Sequence, residues 1–236
     1  GGLQFQVLNR KTFQGGTGST PALSADGHRL YVSDNEGHVI ALDSELAEVW
    51  RVDVGEPLVG SITVAADNNE LYAVTAKDVI QIIDKGDHGT RTWTAELSGF
   101  DGYANVDEQS NALTATVTTN GVVIMADGGK SLLGKTLMLD MGMGLLDRKT
   151  CKLRDFAEGR EDSLAMSVVA PDGSFYVAHS PLRRTAGDAM PPDLTPAIIG
   201  GIARFNPIRR DLLARDAICA AEARGANAST LHERTE

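Results

Sequence analysis

Four times along this chain a tight Asp/Asn turn is followed at once by β-branched and aromatic residues, and that recurrence limits the possible folds more than any other feature. The turns are Asp26-Gly27, Asp67-Asn68-Asn69, Asn120-Gly121 and Asp172-Gly173, spaced 41, 53 and 52 residues apart. Each leads into a strand-like run: Leu30-Tyr31-Val32, Leu71-Tyr72-Ala73, Val122-Val123-Ile124 and Phe175-Tyr176-Val177. Asp-Gly and Asn-Gly suit two-residue hairpins because both central positions then take positive φ. A period of this size marks repeat folds in which no unit buries its own faces alone.

The third strands recur as well: Val39 to Asp43, Val79 to Asp84, Gly144 to Asp147 and Ile202 to Asn206. An Asp or Asn closes each, where a short side-chain acceptor can hold the turn backbone. Trp50 and Trp93 mark outer strands in the first two units, and Cys151 and the Leu212–Ile218 stretch take the matching places later. The expected fold class is therefore all-β: a β-propeller of four-stranded antiparallel blades, about four of them, forming part of a ring. The expected blades are 19–54, 60–97, 113–156 and 164–218, within a partial propeller over 1–225. Residues 1–13 read as the outer strand of a preceding blade, through the alternation Leu3 to Val7, and 226–236 as a flexible tail. Between 207 and 224, Asn206-Pro207 and the alanine run favour a helix, whereas the repeat favours a strand.

The chain carries 22 Lys+Arg against 32 Asp+Glu, a formal net charge of -10, which argues against a nucleic-acid surface or adhesion to anionic lipid. Apolar residues come in short runs, so no stretch reads as a membrane-spanning helix. The start at Gly1 shows no charged or apolar leader, so the expectation is that any signal peptide was removed or never present. Two cysteines without a C-x-x-C pair suggest no metal site, and both a Cys151–Cys219 disulfide and two buried thiols stay open.

The text STPALSADGHRLYVSDNEGHVIALDSELAEVWRVDVG, residues 19–55, resembles the quinoprotein-type propeller repeat along its whole length. The second unit matches more loosely, and the later two share only the turn, strand and Asp/Asn landmarks. Family members usually have six to eight blades, so the resemblance implies another chain or a missing segment that completes the ring. It also implies an exported, periplasmic protein. Some members hold pyrroloquinoline quinone and calcium beside adjacent cysteines and an axial tryptophan. Here Cys151 and Cys219 are isolated and both tryptophans fall on outer strands, so no cofactor is evident and a quinone and calcium oxidoreductase is the alternative. A metal-dependent, lactonase-like hydrolase is a weaker one.

In a propeller the connections between second and third strands share one face with the links between blades. Here these connections lengthen along the chain, from Ser33–Gly37 and Thr75–Asp78 to Met125–Met143 and His179–Gly201. Long loops on a rigid scaffold are where binding concentrates, so the expected role is a ligand- or protein-binding module, with no catalytic residue assigned. Asp127 and Lys130 bracket a glycine-containing turn able to hold an anion, and His179, Arg183 and Arg184 form a cluster suited to a carboxylate. Met138, Met141 and Met143 suggest an adaptable apolar surface, and Asp101, Asp107 and Glu108 are calcium candidates that lack a dedicated loop's spacing.

Overall fold

In a computed structural model the described residues are 4–58, 60–97, 114–118, 121–132, 135–159, 167–172, 174–179, 201–205 and 219–220. The first blade comprises β1 (Ala22–Leu23), β2 (Leu30–Ser33), β3 (His38–Leu42) and β4 (Glu48–Asp53). The second comprises β5 (Thr63–Val64), β6 (Glu70–Val74), β7 (Asp78–Asp84) and β8 (Gly89–Glu96). The third has β9 (Thr116–Thr118), β10 (Gly121–Leu132), β11 (Lys135–Leu146) and β12 (Leu153–Gly159). The fourth has β13 (Val168–Val169), β14 (Phe175–His179) and β15 (Gly201–Phe205), and β16 (Cys219–Ala220) follows. Each blade is an antiparallel meander in strand order, so the fold is an all-β propeller arc of about four blades.

Alternation along each strand sends one set of side chains to the preceding blade and the other to the following one. Tyr31, Val39, Ala41 and Trp50 of the first blade pack on Leu71, Ala73, Ile80 and Ile82 of the second. The second blade's other face, with Tyr72, Val74, Val79 and Trp93, packs on Val122, Ile124, Leu146 and Leu153 of the third. Val123, Met125 and Met143 then meet Phe175 and Val177 of the fourth.

The seam between the first two blades repeats at the next with different chemistry. Tyr31 and Trp50 lie with ring centroids 5.9 Å apart, as do Tyr72 and Trp93. Across the first seam the Tyr31 hydroxyl and the Trp50 indole N–H both donate to the Asp84 carboxylate, at 2.6 and 3.0 Å. At the second seam Trp93 Nε1 donates instead to the Arg148 carbonyl at 3.0 Å. Gly89 permits the first contact, because a Cβ there would stand 2.8 Å from the Trp50 ring.

The acidic residues expected to close the third strands do so. Asp43 accepts the N–H groups of Glu45 and Ala47, Asp84 that of Gly86, and Asp147 those of Lys149 and Thr150. Asn206 lies outside the described residues.

Several expectations are corrected. The first two hairpins are not two-residue turns, since Ser24 N bonds Arg29 O and Ala65 N bonds Glu70 O across four intervening residues. The Ser24 hydroxyl and Asp26 carboxylate fill this wider loop with side-chain bonds, and positive φ falls on a single residue, Gly27 or Asn69. Thr118 pairs directly with Gly121, so the tightest turn is the third. Residues 4–13 form no strand: Phe5 is 99% exposed, and Phe13 packs on the Val32, Ile40 and Leu42 face of the first blade. By register Asp155, not Cys151, matches Trp50 and Trp93, because Leu145, Ala41 and Gln81 are their respective partners. Cys151 instead sits in the turn, bonding the Asp147 carbonyl, and is disulfide-bonded.

The expected fourth strand at 212–218 and the tail at 226–236 lie outside the described residues, as does 99–109 with the calcium candidates. Beyond them β16 pairs with the edge of β8, Cys219 opposite Ala95 and Ala220 opposite Thr94.

Candidate functional site

The face carrying the connections between second and third strands begins with two compact turns. In the first blade Asp34 is buried, and its Oδ1 accepts the N–H groups of Glu36 and His38 at 3.1 and 2.9 Å. His38 Nδ1 lies 2.9 Å from Asp34 Oδ2. The neighbouring Gly37, at φ +90°, runs so close to the Glu56 carbonyl that a Cβ would meet it at 2.8 Å. Among the described residues Asp34, Glu36 and His38 are the group whose ligand atoms come within metal-binding reach, 4.8 Å of one another. Sequence reasoning passed over them, although acceptors at alternate positions of one turn are a readable signal. The backbone bonds to Asp34 already give this carboxylate a structural role.

In the second blade Thr75 Oγ1 accepts from Lys77 N and Asp78 N. Burial first, then the charges of Glu96 and Glu56, push the Asp78 carboxyl above the ordinary carboxylate range, with Arg91 and Lys77 opposing. An acid with a raised folded-state pKa binds its proton more readily folded than unfolded. Stability therefore falls as pH rises from the unfolded carboxylate value through the raised folded one. Asp78→Asn is expected to raise neutral-pH stability by about 0.5 kcal/mol once solvent screening is allowed for, and to flatten this acid-limb slope. Urea unfolding at pH 4, 5 and 7 checks both; an unchanged slope refutes the assignment.

In the third blade the expected excursion at 125–143 is regular structure. β10 and β11 remain paired from Val122↔Leu146 to Leu132↔Lys135, with one irregularity between Gly128 and Gly129. The central strands run on because β-compatible residues such as Thr136 and Leu137 continue the ladder past β12, with Leu139 the extra residue at the irregularity. β12 flanks β11 as far as Met141↔Gly159, and the five register steps beyond it, from Gly128↔Asp140 to Leu132↔Lys135, project a two-stranded ribbon by roughly 17 Å. Asp127 and Lys130 thus lie on a strand rather than in an anion-holding turn, opposite Met141 and Leu137. Met143 and Met125 fill the seam with Phe175 and Val177, so part of the methionine group is core.

His179 ends β14, opposite Gly201, at the same end of the neighbouring blade. Asp127 and Lys130 therefore stand on β10 and His179 on β14, at the same end of neighbouring blades, and Arg183 and Arg184 lie outside the described residues.

The opposite face holds a charged clamp that the sequence did not announce. Arg148, with a side chain 11% exposed, follows the aspartate that closes β11. Its guanidinium donates to both Asp67 oxygens at 2.7 and 2.9 Å, to Glu70 at 2.9 Å and to Asn68 at 3.0 Å. Arg148 holds the Asp67 carboxyl below the ordinary range, while burial and the bond to Glu70 push the Tyr72 hydroxyl far above its own. These groups fasten the second blade to the third.

No helix among the described residues is long and apolar enough to cross a membrane. No curated protein matches the sequence. Among solved structures the quinohemoprotein alcohol dehydrogenase of Comamonas testosteroni is 12% identical at TM-score 0.52, over 70% of this chain and 29% of that one. The Dos1 propeller is 10% identical at TM-score 0.51, over 68% and 41%. The Cps50 (Swd1) propeller domain of Myceliophteria thermophila is 14% identical at TM-score 0.48, over 82% and 60%. The chain spans less than two thirds of each of these proteins, and at such identities the likeness is one of fold. A family model described as outer membrane protein assembly factor BamB matches residues 6–177, which carry three complete blades and the start of the fourth. The chain belongs to that family of quinoprotein-like β-propellers.

Proposed function

We propose that this chain is a non-catalytic binding module of an exported propeller that takes part in outer-membrane protein assembly, holding its partner on the face of the β10–β11 ribbon. The ribbon carries the reading: β10 and β11 run 12 residues each, whereas the other blades' second and third strands run 4 to 7. A projecting two-stranded ribbon gains little stability for its own fold and offers backbone donors and acceptors along its edges, the requirement for adding a partner strand. Asp127, Lys130 and His179, with Arg183 and Arg184, are the proposed polar contacts. The description of the family supports the assembly role, and a disulfide at Cys151 supports an oxidising, periplasmic compartment. The arc is read as part of a larger ring completed by further polypeptide.

The test replaces residues 127–141 by Asn-Gly, which closes a two-residue hairpin between Ala126 and Gly142. The probe is a fluorescent outer-membrane β-barrel polypeptide, unfolded in urea and diluted into buffer. Expected are an unchanged unfolding midpoint and binding weakened by at least about tenfold, roughly 1.4 kcal/mol. Full binding without the ribbon overturns the site. Stoichiometric uptake of pyrroloquinoline quinone with calcium overturns the non-catalytic reading.

A further inference from the structure

The methionines of this chain are unevenly placed. Four of the six, Met125, Met138, Met141 and Met143, lie on β10 and β11. Along β11 they read Met138-Leu139-Asp140-Met141-Gly142-Met143. In an unbroken strand the spacing from Met138 to Met141 would put those two on opposite faces of the sheet. Here the register slips: Gly128 stands opposite Asp140 and Gly129 opposite Met138, so Leu139 is passed over. Met138, Met141 and Met143 therefore pair with Gly129, Asp127 and Met125, alternate positions of β10, and all fall on one face. On that face Met125 and Met143, 3% and 5% exposed, pack against Phe175 and Val177.

The fourth blade brings an imidazole to the same place. Val177 and His179 occupy alternate positions of β14, so His179 falls on the face that meets the third blade. β10 and β14 both follow the turn after a first strand and run in the same direction. His179 stands one two-residue step, roughly 7 Å, beyond Val177, as Met141 and Asp127 stand one step beyond Met143 and Met125. Thioether, imidazole and carboxylate residues are thus placed at the mouth of one apolar seam.

A thioether is a neutral, polarisable donor, poor for calcium, magnesium or zinc and good for copper(I). A single positive charge is also desolvated at lower cost than a double one, and Asp127 sets a negative charge opposite Met141. Filling the seam accounts for Met125 and Met143. It leaves unexplained why the next two positions of that face on β11 carry methionine as well.

We infer that Met138, Met141, Met143 and His179 form a copper(I) site at the mouth of the seam between the third and fourth blades, with Met125 beneath it. The ion is held without change of oxidation state. The site is separate from the partner reading of the ribbon, because exchanging methionine for leucine leaves the ribbon's backbone edges intact.

The test titrates the full gene product under nitrogen with tetrakis(acetonitrile)copper(I) against the chelator bicinchoninate, without reductant so that the bridge at Cys151 stays closed. X-ray absorption at the copper edge is recorded on the one-equivalent complex. Expected are one copper(I) taken per chain and a shell of sulfur neighbours with one nitrogen. Met138→Leu with Met141→Leu conserves volume and should keep the unfolding midpoint. It should weaken binding at least about a hundredfold, more than the loss of an outer-shell partner costs. His179→Phe should remove the nitrogen neighbour and leave the sulfurs. Silver(I), which takes the same soft donors, should compete for the site, and zinc(II) and calcium(II) should not. The inference is overturned if no copper is taken from bicinchoninate, if the shell holds nitrogen and oxygen only, or if the double variant binds as tightly as the wild type. Should that variant fail to fold, the absorption spectrum of the wild type decides alone. The double variant should still bind the barrel polypeptide, so the copper site and the partner reading fail separately.

Discussion

Serine at position 151 is expected to cost the protein on the order of 2–4 kcal/mol, the usual worth of a native disulfide whose loss frees the unfolded chain. Cys151 is disulfide-bonded, 1% exposed, and packed in the cluster that holds Trp93 and Leu153 at the seam of the second and third blades. Among the described residues no cysteine is free, and the other cysteine of the chain is Cys219, in β16 on the edge of β8. The bridge therefore closes a loop with 67 residues between the two cysteines, β13, β14 and β15 among them. Urea midpoints of Cys151→Ser, Cys219→Ser and the double variant should be equal, because a single bridge is lost in each. Additive losses, or a wild-type midpoint indifferent to reductant, would show that the two cysteines do not act together.

The second large effect is expected at Arg148. Arg148→Ala removes the donor shared by Asp67, Asn68 and Glu70 and leaves the Glu70 carboxylate, 13% exposed, beside the Tyr72 hydroxyl without its cation. Breaking a largely buried pair from one side costs more than the pair contributes, so a loss of about 2–4 kcal/mol is expected. Lysine should recover a minor part, since a single ammonium cannot reproduce the fork that spans Asp67 and Glu70. The Arg148 carbonyl still accepts from Trp93 and Gln81 in either variant, so the tryptophan environment should be retained. A midpoint shift below about 0.5 kcal/mol would reduce the clamp to an ordinary surface pair.

How much of this could be read from the sequence depends on the range of the interaction. The blades, their order and the closing aspartates were legible because they rest on local rules, period-2 alternation and side-chain acceptors at turns. The width of the first hairpins was not, because Ser24 and Asp26 share hydrogen bonds that override the Asp-Gly turn signal. The ribbon looked like a loop because glycines 128, 129 and 134 punctuate it, and its pairing partner lies on the far side of the turn. Arg148 was invisible for a different reason: its carboxylates stand some 80 residues earlier and meet it only through blade stacking. The covering of the first blade by Phe13 is likewise tertiary, since LQFQV alternates well enough to suggest a strand. Of the candidate site, the lengthening at 125–143 was legible and its pairing as two strands was not.

The outer strands share one irregularity that outlasts the sequence repeat. In the first three blades the register slips by one residue between the third and fourth strands, after Ala41, Gln81 and Leu145, leaving Val49, Thr92 and Arg154 as the extra residues. Such a slip bends and over-twists the strand that carries it. Around the rim of the arc it turns the backbone of β4 and β12 out of plane, which disfavours a flat sheet shared between two molecules meeting rim to rim, and at β8 the edge is taken in part by β16. The extra residue itself is free to differ, as Val49, Thr92 and Arg154 do. The same slip leaves the opposite ends of the central strands unconstrained, and a blade can lengthen there while its rim keeps its shape.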